Sequence, residues 1–278
     1  MKQEDYTETN RRMWNLTAPI HAEAYVDKLM SRISDADYSS FDDIERQQFV
    51  QIGLEGKAVV QLACNNGREL ISVKKAGAGR CVGFDISDEF IGQGQRLAQA
   101  AGVDVEFVRS SVYDIPADYD GQFDLVYITI GVFGWMPDVD DFFDVIVRLL
   151  RPGGLLFVYE MHPILNMFDA KKGLQVENSY FHKEPFYTDE EADFLNPSET
   201  VEASSYWFHH KLSDIIGSCL RHGLGLTHFE EYGHDLSMNY KAFQQFEKKP
   251  PLSYSLIARR GGDPPDHDRS APHGASQP

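Results

Sequence analysis

The chain has 278 residues, of which 43 are acidic and 26 basic, for a formal charge of −17. Hydrophobic residues make up 42% and aromatic residues 12%, which is ample for a packed core and too apolar for a disordered chain. The charge argues against partners held by phosphate neutralisation, nucleic acids and anionic membranes alike, and the length allows one enlarged α/β domain or two smaller ones.

The segment Met1–Tyr6 is acidic and lacks an apolar stretch, so no secretory signal is expected. No apolar run approaches the ~18 residues of a membrane-crossing helix. Cys64, Cys81 and Cys219 show no CxxC spacing, which predicts reduced thiols in a cytoplasmic protein.

Residues 1–50 read as a helical lid. Tyr6, Trp14, Ala18, Ala22 and Tyr25 recur at three- and four-residue steps, and Phe41, Ile44 and Phe49 follow on a second segment. From residue 57 the texture changes. Short apolar runs at Ala58–Ala63, Cys81–Asp85, Val105–Val108, Phe123–Thr129 and Gly154–Tyr159 are separated mostly by helical stretches, about 67–76, 87–101 and 139–150. Strands alternating with helices predict a mainly parallel sheet with right-handed crossovers, a core spanning 51–163.

Residues 164–210 are polar and aromatic, too long for a plain connection, and read as an inserted lid or substrate segment. The core resumes over 211–260, with a helix at Lys211–Gly223 and strands at Thr227–Glu231 and Leu252–Ala258. Residues 261–278 hold four of the 13 prolines and are expected to be a disordered tail.

The first strand runs into Cys64-Asn65-Asn66-Gly67-Arg68-Glu69 and then a helix. Such a turn faces the carboxyl ends of the strands, where ligands of open parallel sheets bind. Asn and Gly accept the positive φ that a tight turn requires. Asp85 ends the second strand 18 residues after Gly67, the place of an acidic residue that holds ribose hydroxyls. A dinucleotide fingerprint needs several glycines against a pyrophosphate. Here only Gly67 remains, and Glu69 would repel phosphate in the first helical turn. A nucleoside without phosphates, such as S-adenosylmethionine, tolerates both departures.

On these residues the chain resembles the class I S-adenosylmethionine-dependent methyltransferases over about 57–162, with Pro251–Ala258 like their last strand. It looks most like a bacterial small-molecule branch, through Leu62–Glu69, Gly131–Asp138, Leu150–Gly154, Glu160–Pro163 and Tyr206–Asp214. The resemblance implies a Rossmann-like, mostly parallel seven-stranded sheet with a helical N-terminal lid and an insertion after strand five. It puts Ala63, Asn65 and Gly67 at the family's three glycine positions, with backbone against the methionine portion. It implies Asp85 on the ribose, Ile86 on the adenine face, Ser111 and Val112 at the adenine edge, and Thr129 and Ile130 near the sulfonium. Gln61 and Ser111 depart from the family, which usually has Asp at both positions.

Methyl transfer from a sulfonium depends mainly on positioning, and a base is needed only if the acceptor must lose a proton. His162, after the fifth strand, and His210, after the aromatic run Tyr206–Phe208, are the candidate bases; each also reads as an orienting or structural histidine. If 206–208 is a strand, alternation sends one of His209 and His210 inward, and a helix follows, capped by Ser213 or a neighbour. Phe133 and Trp135 are candidates for an acceptor pocket. Trp14 and Tyr25 read first as core residues of an N-terminal helix and, through the resemblance, as candidates for capping the cofactor. Asp138, Asp140, Asp141 and Asp144 read as a helix start, where acidic residues suit the dipole, rather than as metal ligands. Thr129-Ile130-Gly131-Val132 occupies the place of a nucleobase-amine methylation motif, and Asp263-Pro264-Pro265-Asp266 mimics that motif only in the tail.

The expected function is S-adenosylmethionine-dependent methylation of a small molecule at oxygen, nitrogen or carbon, without a metal. The alternatives are a cyclase or non-catalytic binder on the same fold, and a nicotinamide-dependent oxidoreductase.

Overall fold

Strands form where apolar residues fill both faces of a central sheet. In the computed structural model, which describes residues 2–193 and 196–261, the chain opens with α1 (Gln3–His21), a π-helical turn (Ala22–Val26), α2 (Asp27–Ile33) and α3 (Asp43–Ile52). There follow β1 (Ala58–Leu62), α4 (Arg68–Lys75), β2 (Arg80–Asp85), α5 (Asp88–Ala101), β3 (Glu106–Arg109), β4 (Phe123–Thr129), α6 (Val139–Leu149) and β5 (Leu150–Met161). After β5 come β6 (Phe186–Asp193), β7 (Asn196–Trp207), α7 (Leu212–Arg221), β8 (Leu224–Tyr232) and β9 (Ser253–Arg260).

Seven strands form one sheet in the order β3-β2-β1-β4-β5-β9-β8. The first five are parallel, and β9 runs antiparallel to both neighbours. The connections reverse direction between β1 and β4, which opens a crevice at the carboxyl ends of those strands. Alternation along β4 feeds two cores. Val126 and Ile128 join α6 and α7 on one face, and Leu125 and Tyr127 join α3 and α4 on the other.

The N-terminal segment is not one lid. Phe49 of α3 packs its ring on Tyr127 and Phe157, with centroids 5.1 and 5.3 Å away, and Leu29 and Ile33 of α2 pack with Ile91 and Leu97 of α5. Only α1 and the turn after it lie across the strand ends. Pro19 interrupts the hydrogen-bond ladder of α1, and the π turn that follows is the kind of local rewinding that accompanies such a break.

The insertion after β5 forms the separate β6–β7 hairpin, which packs against α1. Asn10 binds it as a strand would, donating from Nδ2 to Tyr206 O at 2.9 Å and accepting from Tyr206 N at 2.8 Å. Beyond β7, Phe208 N donates to Gly134 O at 2.7 Å. A Cβ on Gly134 would fall inside the Trp207 ring, so Gly134→Ala displaces Trp207. We expect it to lower the melting temperature by several degrees, about 1–3 kcal/mol of overpacking, read by thermal denaturation.

Capping explains the acidic run after β4. Asp138 accepts from Asp140 N and Asp141 N at 2.8 and 3.1 Å, and Asp140 accepts from Ser218 Oγ and Arg221. At α7 the cap is Lys211, whose N–H donates to Asp214 at 3.0 Å, rather than Ser213. The three cysteines are free and buried. Among the described residues no helix is long and apolar enough to cross a membrane. The expected tail and its Asp263–Asp266 motif lie outside the described residues, apart from Gly261.

Candidate active site

The turn after β1 takes positive φ at three alternate positions: Ala63 (50°), Asn65 (51°) and Gly67 (65°). These are the three positions that the resemblance aligned with glycines. Ala63 carries a Cβ in a conformation that usually costs L-residues about 1–2 kcal/mol, which Asn65 tolerates better, so the turn is held against strain at Ala63. Asp85 at the end of β2 holds it, since its Oδ2 accepts from Asn65 N at 2.7 Å and its Oδ1 accepts from Ser87 N at 2.9 Å. Burial raises the Asp85 carboxyl to about 6, against the pull of those backbone N–H groups.

Above the turn lies a cavity of about 490 Å³ whose wall includes Ala63, Asn65, Asp85, Ile86, Ser111, Val112, Thr129 and Ile130. The same cavity is walled by Trp14 and Tyr25 from the N-terminal segment and by Trp135 from the loop after β4. All of these were candidates from sequence, and the fold brings them together from seven separate segments. Ser111 Oγ accepts from Tyr113 N at 3.3 Å, which turns the chain under the cavity after β3.

Four candidates lie elsewhere. Gly67 is not on the wall; it begins α4 and is pressed against the Phe107 ring. Phe133 turns into the core, where its ring meets Phe142 and Phe143 at 5.8 and 6.0 Å. The 3₁₀ turn Phe133–Trp135 sends one ring inward and the other to the cavity, a division that spacing alone does not reveal. His162 and His210 flank a second, much smaller cavity of about 30 Å³. His162 Nδ1 accepts from Ile164 N at 3.1 Å, and its Nε2 is 2.9 Å from the Glu231 carboxylate. His210 Nε2 donates to Met136 O at 2.7 Å. His209 likewise bonds Tyr180 O at 2.7 Å. Both histidines follow the end of β7, so strand alternation does not direct them. Burial lowers the pKa of His162, His209 and His210, and each is a fixture of the surrounding backbone.

Several wall residues were not singled out from sequence. Arg68 donates to Tyr25 Oη at 2.7 Å and pairs with Glu69, and that carboxylate holds the guanidinium well above its usual range. The Glu69 charge seen as hostile to phosphate is therefore already compensated, and Arg68 is committed to it. Trp207, Met161 and residues 236–239 also reach the wall. Asp235 organises that last loop by accepting from Ser237 N and Tyr240 N at 3.0 and 2.9 Å; its Asp-x-Ser pattern signals a turn, but nothing in it signals the cavity. Glu160, buried at the end of β5, accepts from Val132 N at 2.8 Å and from Gly131 N. It thereby anchors the loop carrying Trp135, and burial raises its carboxyl to about 7. Gln61, where the resembled family usually has Asp, is buried off the wall with Nε2 3.4 Å from Thr129 Oγ1.

Residues 59–154 match the family model described as a methyltransferase domain. The ubiquinone biosynthesis O-methyltransferase of Methylococcus capsulatus is 25% identical over 202 residues, 71% of this chain and 81% of that protein. The enzyme of the same name from Rhizobium etli is 35% identical over 38% of this chain and 41% of its own length. The demethylmenaquinone methyltransferase of Thermus thermophilus is 31% identical over 42% of this chain and 54% of its own length. Among solved structures, an S-adenosylmethionine-dependent methyltransferase from Clostridium acetobutylicum superposes with a TM-score of 0.58 at 15% identity, over 88% of this chain and 99% of that one. Geranyl diphosphate C-methyltransferase from Streptomyces coelicolor superposes with 0.60 at 14% identity, over 92% and 97%.

The matched domain, the sheet order and the turn under the cavity agree: residues 59–154 are a methyltransferase domain on the fold of the S-adenosylmethionine-dependent methyltransferases. Its cofactor is S-adenosylmethionine, and the donor set fits that ligand. A buried carboxylate faces the cavity at Asp85, while the cavity's guanidinium, Arg68, is already paired.

Proposed function

We propose that the enzyme methylates a small organic molecule at oxygen, nitrogen or carbon. The observation that carries this reading is the Asp85 carboxylate, set at the cavity wall and bonded to the left-handed turn. In this reading Asp85 accepts the ribose hydroxyls, Ile86 covers the adenine face, and Ser111 and Val112 border its edge. The backbone of Ala63 and Asn65 holds the methionine portion, with Gly67 shaping the turn from outside the wall. Thr129 and Ile130 floor the sulfonium end, and Trp14 and Tyr25 close over it. When bound, the cofactor supplies a methyl group on a good leaving group, so the chain's work is alignment and exclusion of water. The names of the curated relatives, which concern ubiquinone biosynthesis and demethylmenaquinone, support a small organic acceptor. The buried free thiols support a cytoplasmic setting, and the acidic surface supports the exclusion of nucleic acid.

Ribose hydroxyls donate to the ionised carboxylate, so affinity requires Asp85 to be charged. That charge is complete well above pH 6 and is lost as pH falls through about 6. S-adenosylhomocysteine affinity, measured by calorimetry, is therefore expected to be flat at high pH and to weaken about tenfold for each unit below pH 6. In Asp85→Asn that dependence should vanish; a wild-type profile unchanged down to pH 5 would refute the ribose assignment.

General-base catalysis by His162 or His210 is not part of this reading, since neither ring reaches the cavity wall. His210→Ala should leave S-adenosylhomocysteine affinity within about threefold while costing roughly 1 kcal/mol of stability through the unpaired Met136 carbonyl. A large loss of affinity with unchanged melting would reverse that assignment.

A further inference from the structure

The chain has three tryptophans, and all of them, Trp14, Trp135 and Trp207, wall the main cavity. They come from α1, the loop after β4 and the end of β7, three elements that share no local sequence. Trp135 stands between the other two, with centroids 5.0 Å from each and interplanar angles of 70° to Trp14 and 88° to Trp207. Successive rings at near right angles make a corner of aromatic faces and edges. Met136, Met161 and Ile130 extend it with apolar surface.

On the methyltransferase reading above, we infer that this corner is the acceptor subsite and that it takes an uncharged planar ring carrying oxygen substituents. Perpendicular aromatic walls favour a flat aromatic guest, which meets one face and another edge at once. Polar recognition comes from indole N–H groups. Trp207 Nε1 is spent on Asn166 Oδ1 at 3.2 Å, which fixes that ring. Among the described residues Trp14 and Trp135 Nε1 have no hydrogen-bond partner, so two donors remain for oxygen atoms on the guest. An anionic acceptor would need a cation, and the Arg68 guanidinium on the wall is held by Glu69 and Tyr25. A cationic acceptor could use the indole faces, but it would approach a positively charged sulfonium, and the wall carboxylates are engaged: Glu69 with Arg68, and Asp85 with Asn65 and Ser87. The corner is assembled by the lid. Asn10 fixes the hairpin to α1, and the absence of a Cβ at Gly134 admits Trp207.

With every tryptophan at the site, intrinsic emission reports its occupancy without background from elsewhere. The test titrates catechol, and separately benzyltrimethylammonium, into the full chain saturated with sinefungin, an S-adenosylmethionine analogue that carries an ammonium group where the methylated sulfonium would be, for wild type, Trp207→Phe and Trp207→Ala. Saturable quenching by catechol is expected, at least tenfold weaker in Trp207→Ala and restored to within about threefold in Trp207→Phe. S-adenosylhomocysteine affinity should stay within about threefold across all three proteins, and benzyltrimethylammonium should bind at least tenfold more weakly than catechol. The inference is overturned if catechol gives no saturable change, if Trp207→Ala binds it as wild type does, or if the cation binds as tightly. Failure of wild type to bind S-adenosylhomocysteine at all would instead remove the cofactor reading beneath it.

Discussion

Gly67→Ala should lose about 2–4 kcal/mol of folding stability, a drop of roughly 5–15 °C in melting temperature. Two effects add. Gly67 has φ of 65°, which costs an alanine 1–2 kcal/mol, slightly offset by a less flexible unfolded chain. In addition the new Cβ would overlap the Phe107 ring, which is buried between β3 and α5, and forcing the ring aside costs another 1–3 kcal/mol. Gly102 separates the two effects, because it has the same φ of 65° with nothing within 4 Å of a built Cβ. Gly102→Ala should therefore cost only about 1 kcal/mol. Equal melting temperatures for the two variants would mean that the turn is not packed against Phe107.

Asp85→Ala should weaken S-adenosylhomocysteine at least 100-fold. It removes the proposed acceptor of two ribose hydroxyls, and hydrogen bonds to a charged group contribute about 1.5–3 kcal/mol each. It also frees Asn65 N and Ser87 N, so the strained turn loses its restraint. Asp85→Asn keeps the shape and one oxygen and should fall between the two. Calorimetry on protein with wild-type circular dichroism checks this, and a dissociation constant within threefold of wild type would exclude Asp85 from the ribose site.

Much of this was legible in the sequence because local rules dominate it. The strands of the parallel core are short apolar runs between helical periodicities, and the structure places them within a few residues of expectation. Asp85 was found by its distance from Gly67, since chain length between two strand ends is nearly fixed by one crossover helix. The left-handed turn was legible at Asn65 and Gly67, whose residue types tolerate it, while Ala63 came only through resemblance. What stayed hidden depends on tertiary docking. Trp207 reaches the cavity because a hairpin folds back onto α1, and residues 236–239 reach it because Asp235 curls their loop. Phe133 and Trp135 are two residues apart in a 3₁₀ turn, where neither strand nor α-helical period says which ring is buried. His162 and His210 looked catalytic by position along the chain, yet each is committed to the backbone that surrounds it.

Binding of S-adenosylhomocysteine to the full chain, titrated by calorimetry at pH 8 beside an identical titration with NADH, tests the central claim most directly. Saturable one-to-one binding of S-adenosylhomocysteine in the micromolar range or tighter, with no heat from NADH, is the predicted result. Saturable binding of NADH with none of S-adenosylhomocysteine would contradict it.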